Sequence, residues 1–66
     1  MQVVVNSSPF ELPAGATVAG LLEQLQVPRT RVAVEVNRMI VRRAQHPETV
    51  LHEGDQIEVV TLVGGG

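Results

Sequence analysis

Three consecutive glycines, Gly64, Gly65 and Gly66, follow the β-branched and aliphatic run "VVTLV" at the carboxyl end of the sequence. Glycine weakens a strand and ordinarily marks a loop between two elements, so its place here calls for another purpose. At an average usage of ~7%, three in a row arise by chance roughly 3 times in 10,000. Without side chains, such a segment fits a groove too narrow for other residues and approaches a ligand closely. Extended, three or four residues reach about 10–14 Å, enough to enter another protein's active site. The group delivered would be the α-carboxylate of Gly66, ionised at neutral pH because its reference pKa is ~3.5. A carboxylate is a poor electrophile until it is activated, for example as an acyl-adenylate open to a sulfur or amine nucleophile. No "GxxxxGK[ST]" phosphate loop occurs and the chain has no lysine, so the activation falls to a partner. The expectation is a domain of residues 1–63 followed by a flexible tail, 64–66, mobile in the free protein.

The remaining polar residues offer less. His46 and His52 lack metal-ligand spacing and a triad-like carboxylate, and read as solvated or hydrogen-bonded side chains. Arg42 and Arg43 read as a solvated strand end, with an acidic partner as the alternative. Asn37 reads as a turn former, and Glu53-Gly54-Asp55 as a turn that lacks the other ligands of a calcium loop. The absence of cysteine excludes disulfides, a thiolate metal site and a cysteine nucleophile. The five arginines and seven acids give a net charge of −2, and Phe10 is the only aromatic residue. That balance argues against a nucleic-acid partner, which needs a clustered basic surface and stacking groups. No apolar run approaches the ~20 residues of a membrane span and no signal peptide is evident, which leads to a cytoplasmic expectation.

Sixty-six residues, 44% of them hydrophobic, make one small domain, able to bury only about 60% of its unfolded surface. "MQVVVN" reads as a first strand, "SSP" as a turn and "FELP" as a second strand with Phe10 and Leu12 on one face. Thr17 is placed to cap a helix whose apolar residues Val18, Leu21, Leu22 and Leu25 follow the i, i+3, i+4, i+7 pattern. Gly20 costs that helix up to ~1 kcal/mol, and Pro28 closes it. "RVAVEVN" alternates as a half-buried third strand, Asn37 and Arg38 turn, and "MIVRR" is a short fourth strand. "AQHPETVLHEGDQ" is loop-like with Leu51 as its apolar anchor, and "IEVVTLV" is the last strand. The β-β-α-β-β-β order predicts an α+β domain, a ubiquitin-like β-grasp, with one helix across a mixed sheet of four to five strands. The expected inward set is Val3, Val5, Phe10, Leu12, Val18, Leu21, Leu25, Val34, Leu51, Ile57 and Val59. With Ile57 and Val59 inward, Val60 and Leu62 point outward beside the tail, as a candidate partner-binding patch.

These segments resemble the ThiS sulfur carriers of thiamine biosynthesis. "TVAGLLEQL" is similar to that family's helix, "VAVEVNRMIVRR" to its central hairpin and "LHEGDQIEVVTLVGGG" to its ending. The resemblance covers essentially the whole chain. Gly65 and Gly66 match the family's terminal pair, and Gly64 lies where a small residue is usual. Where the family commonly has proline before an arginine, this chain has Arg42, and Arg43 matches the arginine. The resemblance implies a carrier used as a cosubstrate, not an enzyme and without a bound cofactor. A ThiF-like adenylyltransferase would adenylate Gly66 with ATP, and sulfur from a cysteine desulfurase would replace AMP. The thiocarboxylate would then supply sulfur to a ThiG-like thiazole synthase. The same tail chemistry fits the small subunit of molybdopterin synthase, a carrier for RNA thiolation or amino-acid synthesis, and a ubiquitin-like protein modifier. An RNA-associated TGS domain shares the fold, but the charge and the glycines oppose it.

Overall fold

The computed structural model describes residues 1–62. The chain runs through β1 (Gln2–Val5), β2 (Ser8–Glu11), α1 (Val18–Leu25), β3 (Val32–Val36), β4 (Met39–Val41) and β5 (Gln56–Thr61), with 3-10 turns at Arg29–Arg31 and Arg43–Gln45. The strands form one five-stranded sheet in the order β2-β1-β5-β3-β4. β1 and β5 pair in parallel, while the other pairs are antiparallel. This is the β-grasp arrangement that the element order predicts.

Both hairpins close through two residues at positive φ, Asn6 (49°) and Ser7 (70°) in the first, Asn37 (51°) and Arg38 (70°) in the second. Two-residue turns of this hand follow the natural twist of paired strands, and asparagine tolerates the left-handed region best among non-glycine residues. The first turn therefore sits at Asn6-Ser7. Ser8 and Pro9, read from sequence as part of the turn, belong to β2, paired with Val5 and Val4. Proline lacks an N–H, and β2 lies at the sheet edge, where that donor is not needed.

Thr17 caps α1 as its position predicts, its Oγ1 accepting from the Gly20 N–H at 3.1 Å. The helix ends at Leu25, earlier than Pro28. Gln26 takes a left-handed conformation, its N–H reaching the Glu23 carbonyl, while the Val27 N–H reaches that of Leu22. Those two bonds satisfy carbonyls that a helix end leaves open. A Cβ at Gly20 would meet Thr17 Oγ1 at 3.6 Å, an ordinary contact, and the backbone there is not left-handed. Gly20→Ala is therefore expected to stabilise the protein by about 0.5–1 kcal/mol, through lower unfolded-state entropy and better helix propensity. Urea denaturation reads this directly; an unchanged or lowered midpoint would show that space at Gly20 matters to packing.

The core lies between α1 and one sheet face. Val3, Val5, Leu12, Val18, Leu21, Val34, Leu51 and Ile57 are buried in it, with Phe10, Leu25 and Val59 packed at its margin. Ala19, Leu22 and Val32 are buried as well, outside the expected inward set. His46 is also buried, at 1% exposure, so of its two readings the hydrogen-bonded one holds and the solvated one does not. Its Nε2 lies 3.2 Å from the Val41 carbonyl. A carbonyl only accepts, so Nε2 carries the proton. Nδ1 is buried and without a hydrogen-bond partner among the described residues.

Candidate functional site

β5, which leads to the glycines, lies at the centre of the sheet. Its first residues pair with β1 (Val4↔Gln56, Val5↔Ile57), and the residues after Gln56 pair with β3, from Val36↔Ile57 to Val32↔Thr61. Where β1 ends, the Asn6 side chain continues the pairing. Its Oδ1 accepts from the Val59 N–H at 2.8 Å and its Nδ2 donates to the Val59 carbonyl at 3.1 Å. Beyond the last strand pair, the Leu62 N–H donates to the Arg31 carbonyl at 2.7 Å. The strand is thus anchored on the β3 side as far as the described residues go. Asn6 was not singled out in the sequence. The available signal was an Asn-Ser pair between two strand-like runs, which fits a two-residue hairpin turn.

Asn6→Ala removes both bonds to Val59 and places alanine in a left-handed conformation. The bonds are solvent-exposed, so the expected loss is moderate, about 1–2 kcal/mol. Faster amide exchange at Val59 should accompany it; a urea midpoint and exchange rate equal to the parent's would refute the anchoring role.

Period two in β5 has the expected consequence. Ile57 is buried and Val59 half-buried under α1, while Val60 and Leu62 are 54% and 51% exposed on the opposite face. Ala33 faces Val60 across the β3–β5 pair, and Glu35 faces Glu58 one pair further along the same face. Ile40, 75% exposed, lies opposite Glu35 on β4. Val60 and Leu62 therefore form an accessible apolar pair at the end of the sheet from which the glycine segment departs. Gly64, Gly65 and Gly66, the proposed tail with its reactive carboxylate, lie outside the described residues. So does the domain boundary at 63/64.

The other singled-out residues occupy structural or solvent positions. His52 is exposed, with Nδ1 4.0 Å from Asp55 Oδ2. Glu53-Gly54-Asp55 is a turn: Gly54 has φ +83°, a conformation that other residues rarely adopt. Asp55 accepts from the His52 N–H and Asn37 Nδ2, and Glu53 Oε1 accepts from the Gln2 N–H. Asn37 does more than turn the chain, since its Oδ1 also accepts from the Gln56 N–H at the start of β5. Arg42 and Arg43 are exposed just past β4. Among the described residues, no helix is long and apolar enough to cross a membrane.

Comparison with known proteins places this geometry. The ThiS family model matches residues 2–66. The sulfur carrier protein ThiS of Escherichia coli (strain K12) is 36% identical over 66 residues, covering 100% of both chains. A thiazole synthase of Magnetococcus marinus is 44% identical over the same 66 residues. The present chain spans 20% of that longer relative's length. The crystal structure of the thiamine biosynthesis protein ThiS from Geobacter metallireducens superposes with a TM-score of 0.84 at 30% identity, with 100% of each chain covered. The sheet and helix described above are therefore the ubiquitin-like β-grasp of that structure.

Proposed function

The chain belongs to the ThiS family, and on that premise we propose that it is a sulfur carrier for thiazole formation in thiamine biosynthesis. One observation carries this reading: the similarity to the Escherichia coli carrier extends over 100% of both chains, including the glycine segment at 64–66. In the proposed cycle a ThiF-like adenylyltransferase joins the Gly66 carboxylate to AMP, releasing pyrophosphate from ATP. The outer sulfur of a persulfide, charged by a cysteine desulfurase, then displaces AMP to form an acyl disulfide. A second thiol cleaves that S–S bond, leaving the thiocarboxylate and a new disulfide. That group yields its sulfur to a ThiG-like thiazole synthase, and the carboxylate is regenerated. The chain acts throughout as a cosubstrate, and ATP binds to the activating enzyme.

The two layers suit this task. The β-grasp holds β5 between two neighbours, so the segment that follows starts from a fixed point and direction. Val60 and Leu62 supply an apolar contact beside that point, the kind of anchor that carries much of an interface's energy. The similarity to one segment of a thiazole synthase supports that enzyme as the acceptor of the sulfur. It favours thiazole synthesis over the molybdopterin reading.

Growth complementation tests the assignment. In cells lacking their own ThiS, the chain should restore growth without added thiamine. In cells lacking the small subunit of molybdopterin synthase, it should restore nothing. Rescue of the second strain and not the first would reassign the pathway.

A further inference from the structure

The chain is acidic overall, yet four of its five arginines gather at one end of the sheet. Arg29 and Arg31 stand just before β3, and Arg42 and Arg43 just after β4. Because β3 and β4 are antiparallel with Val34 opposite Val41, the residues before β3 and after β4 lie at the same end of the sheet. β5 finishes at this same end, where Val32 pairs with Thr61 and the Arg31 carbonyl holds the Leu62 N–H. Arg38 sits in the hairpin turn at the opposite end.

All four arginines are exposed. Among the described residues, the only ion-pair contact within 4.0 Å joins His52 to Asp55, so none of the four meets a carboxylate. Arg29, Thr30 and Arg43 line an open cleft of about 480 Å³, together with Ala44 and Pro47. Glu48 follows the cleft residue Pro47 but makes no ion pair within 4.0 Å among the described residues. Glu53 and Asp55 are engaged in the turn before β5, and Glu35 and Glu58 oppose each other nearer the start of that strand. Four like charges at this end of the sheet repel one another, and an acidic surface on a partner would neutralise them.

We propose that Arg29, Arg31, Arg42 and Arg43 form a basic collar that docks on a carboxylate-bearing surface of the activating enzyme, around the entrance that admits the glycines. This inference rests on the carrier reading and specifies its partner surface. The occupant is protein carboxylate for a geometric reason. The four residues after Leu62 span about 13 Å when extended. The nucleotide phosphates that meet Gly66 therefore lie beyond an arginine anchored at the tail's root, and the mouth of the site faces the collar. The glycines carry no side-chain charge, so steering and orientation must come from their surroundings. A charged rim around an apolar contact, here Val60 and Leu62, sets association rate and register more than residence time.

The test is ATP–pyrophosphate exchange by the ThiF-like enzyme, with the full-length carrier varied at several salt concentrations. The double variant Arg31→Gln/Arg42→Gln should raise KM for the carrier about tenfold, and Arg31→Glu/Arg42→Glu further, the change falling in KM rather than kcat. The salt dependence of KM should flatten in the neutral double variant. Arg38→Gln, at the far end, should match the parent. Urea midpoints equal to the parent's confirm that the variants fold. A parent that is activated while the double variants keep its KM and salt dependence would overturn the collar and leave the carrier reading intact. A change in KM for ATP instead of the carrier would overturn it in favour of nucleotide phosphate as the occupant. A parent that is never activated would overturn both.

Discussion

Deleting Gly66, or appending an alanine after it, is expected to abolish thiocarboxylate formation while leaving thermal stability nearly unchanged. The chemistry requires one carboxylate to reach the α-phosphate of a nucleotide held by another protein. Adding or removing a residue moves that carboxylate by about 3.5 Å along the chain. Misplacement by even 1 Å can cost on the order of a hundredfold in rate, so the change should take the reaction below detection. Stability should hold because, among the described residues, the core is assembled from Met1 to Val59. Alanine at Gly65 should act in the same direction, since a β-carbon narrows the approach through the partner's channel. Thiolation of the truncated or extended chain at the parent's rate would show that the glycine segment has no catalytic register to keep.

The second large effect is expected at Leu62. Replacement by aspartate places a charge in the apolar contact beside the tail and should raise KM for activation about thirtyfold, the equivalent of losing an anchor worth about 2 kcal/mol. Folding should survive, because Leu62 is half-exposed and lies after the last strand residue. Val60→Asp should act similarly on the same face. Steady-state exchange kinetics and a urea melt on each variant separate the two effects. Unchanged kinetics would remove this face from the interface, whereas a collapsed melt would show that Leu62 belongs to the fold.

The fold was legible where local pattern and tertiary role coincide. Val32, Val34 and Val36 alternate with Ala33 and Glu35, and the structure pairs them as a strand with inner and outer faces. Thr17 and the leucines of α1 mark a helix that the structure caps where expected. What local pattern lacks is any record of non-local partners. The parallel pairing of β1 with β5 joins residues about fifty positions apart, and Asn6 reaches Val59 by the same route. The 3-10 turns at Arg29–Arg31 and Arg43–Gln45 are too short to show a period. The second of them brings the chain to His46, which is buried although "AQHPETV" is mostly polar. Pro28 was a weaker stop than Gln26, whose left-handed conformation no composition rule foretells.

The candidate site divides in the same way. The outward direction of Val60 and Leu62 followed from the two-residue period of β5, and their exposure agrees. The glycines drew notice as a run without side chains, and the family match extends through them. The gathering of four arginines at the tail's root was hidden, because it depends on two strand ends meeting. In the sequence only Arg42 and Arg43 stand together, and they read as an ordinary solvated strand end.

The central claim, that sulfur is carried on the Gly66 carboxylate, is tested most directly by intact-mass analysis. The purified chain is incubated with the ThiF-like enzyme, ATP, a cysteine desulfurase, cysteine and a thiol reductant. Fragmentation then locates any mass change. The account predicts a gain equal to the exchange of one oxygen for sulfur, confined to Gly66 and dependent on ATP. A mass that stays unchanged under these conditions, or an adduct on any other residue, would contradict it.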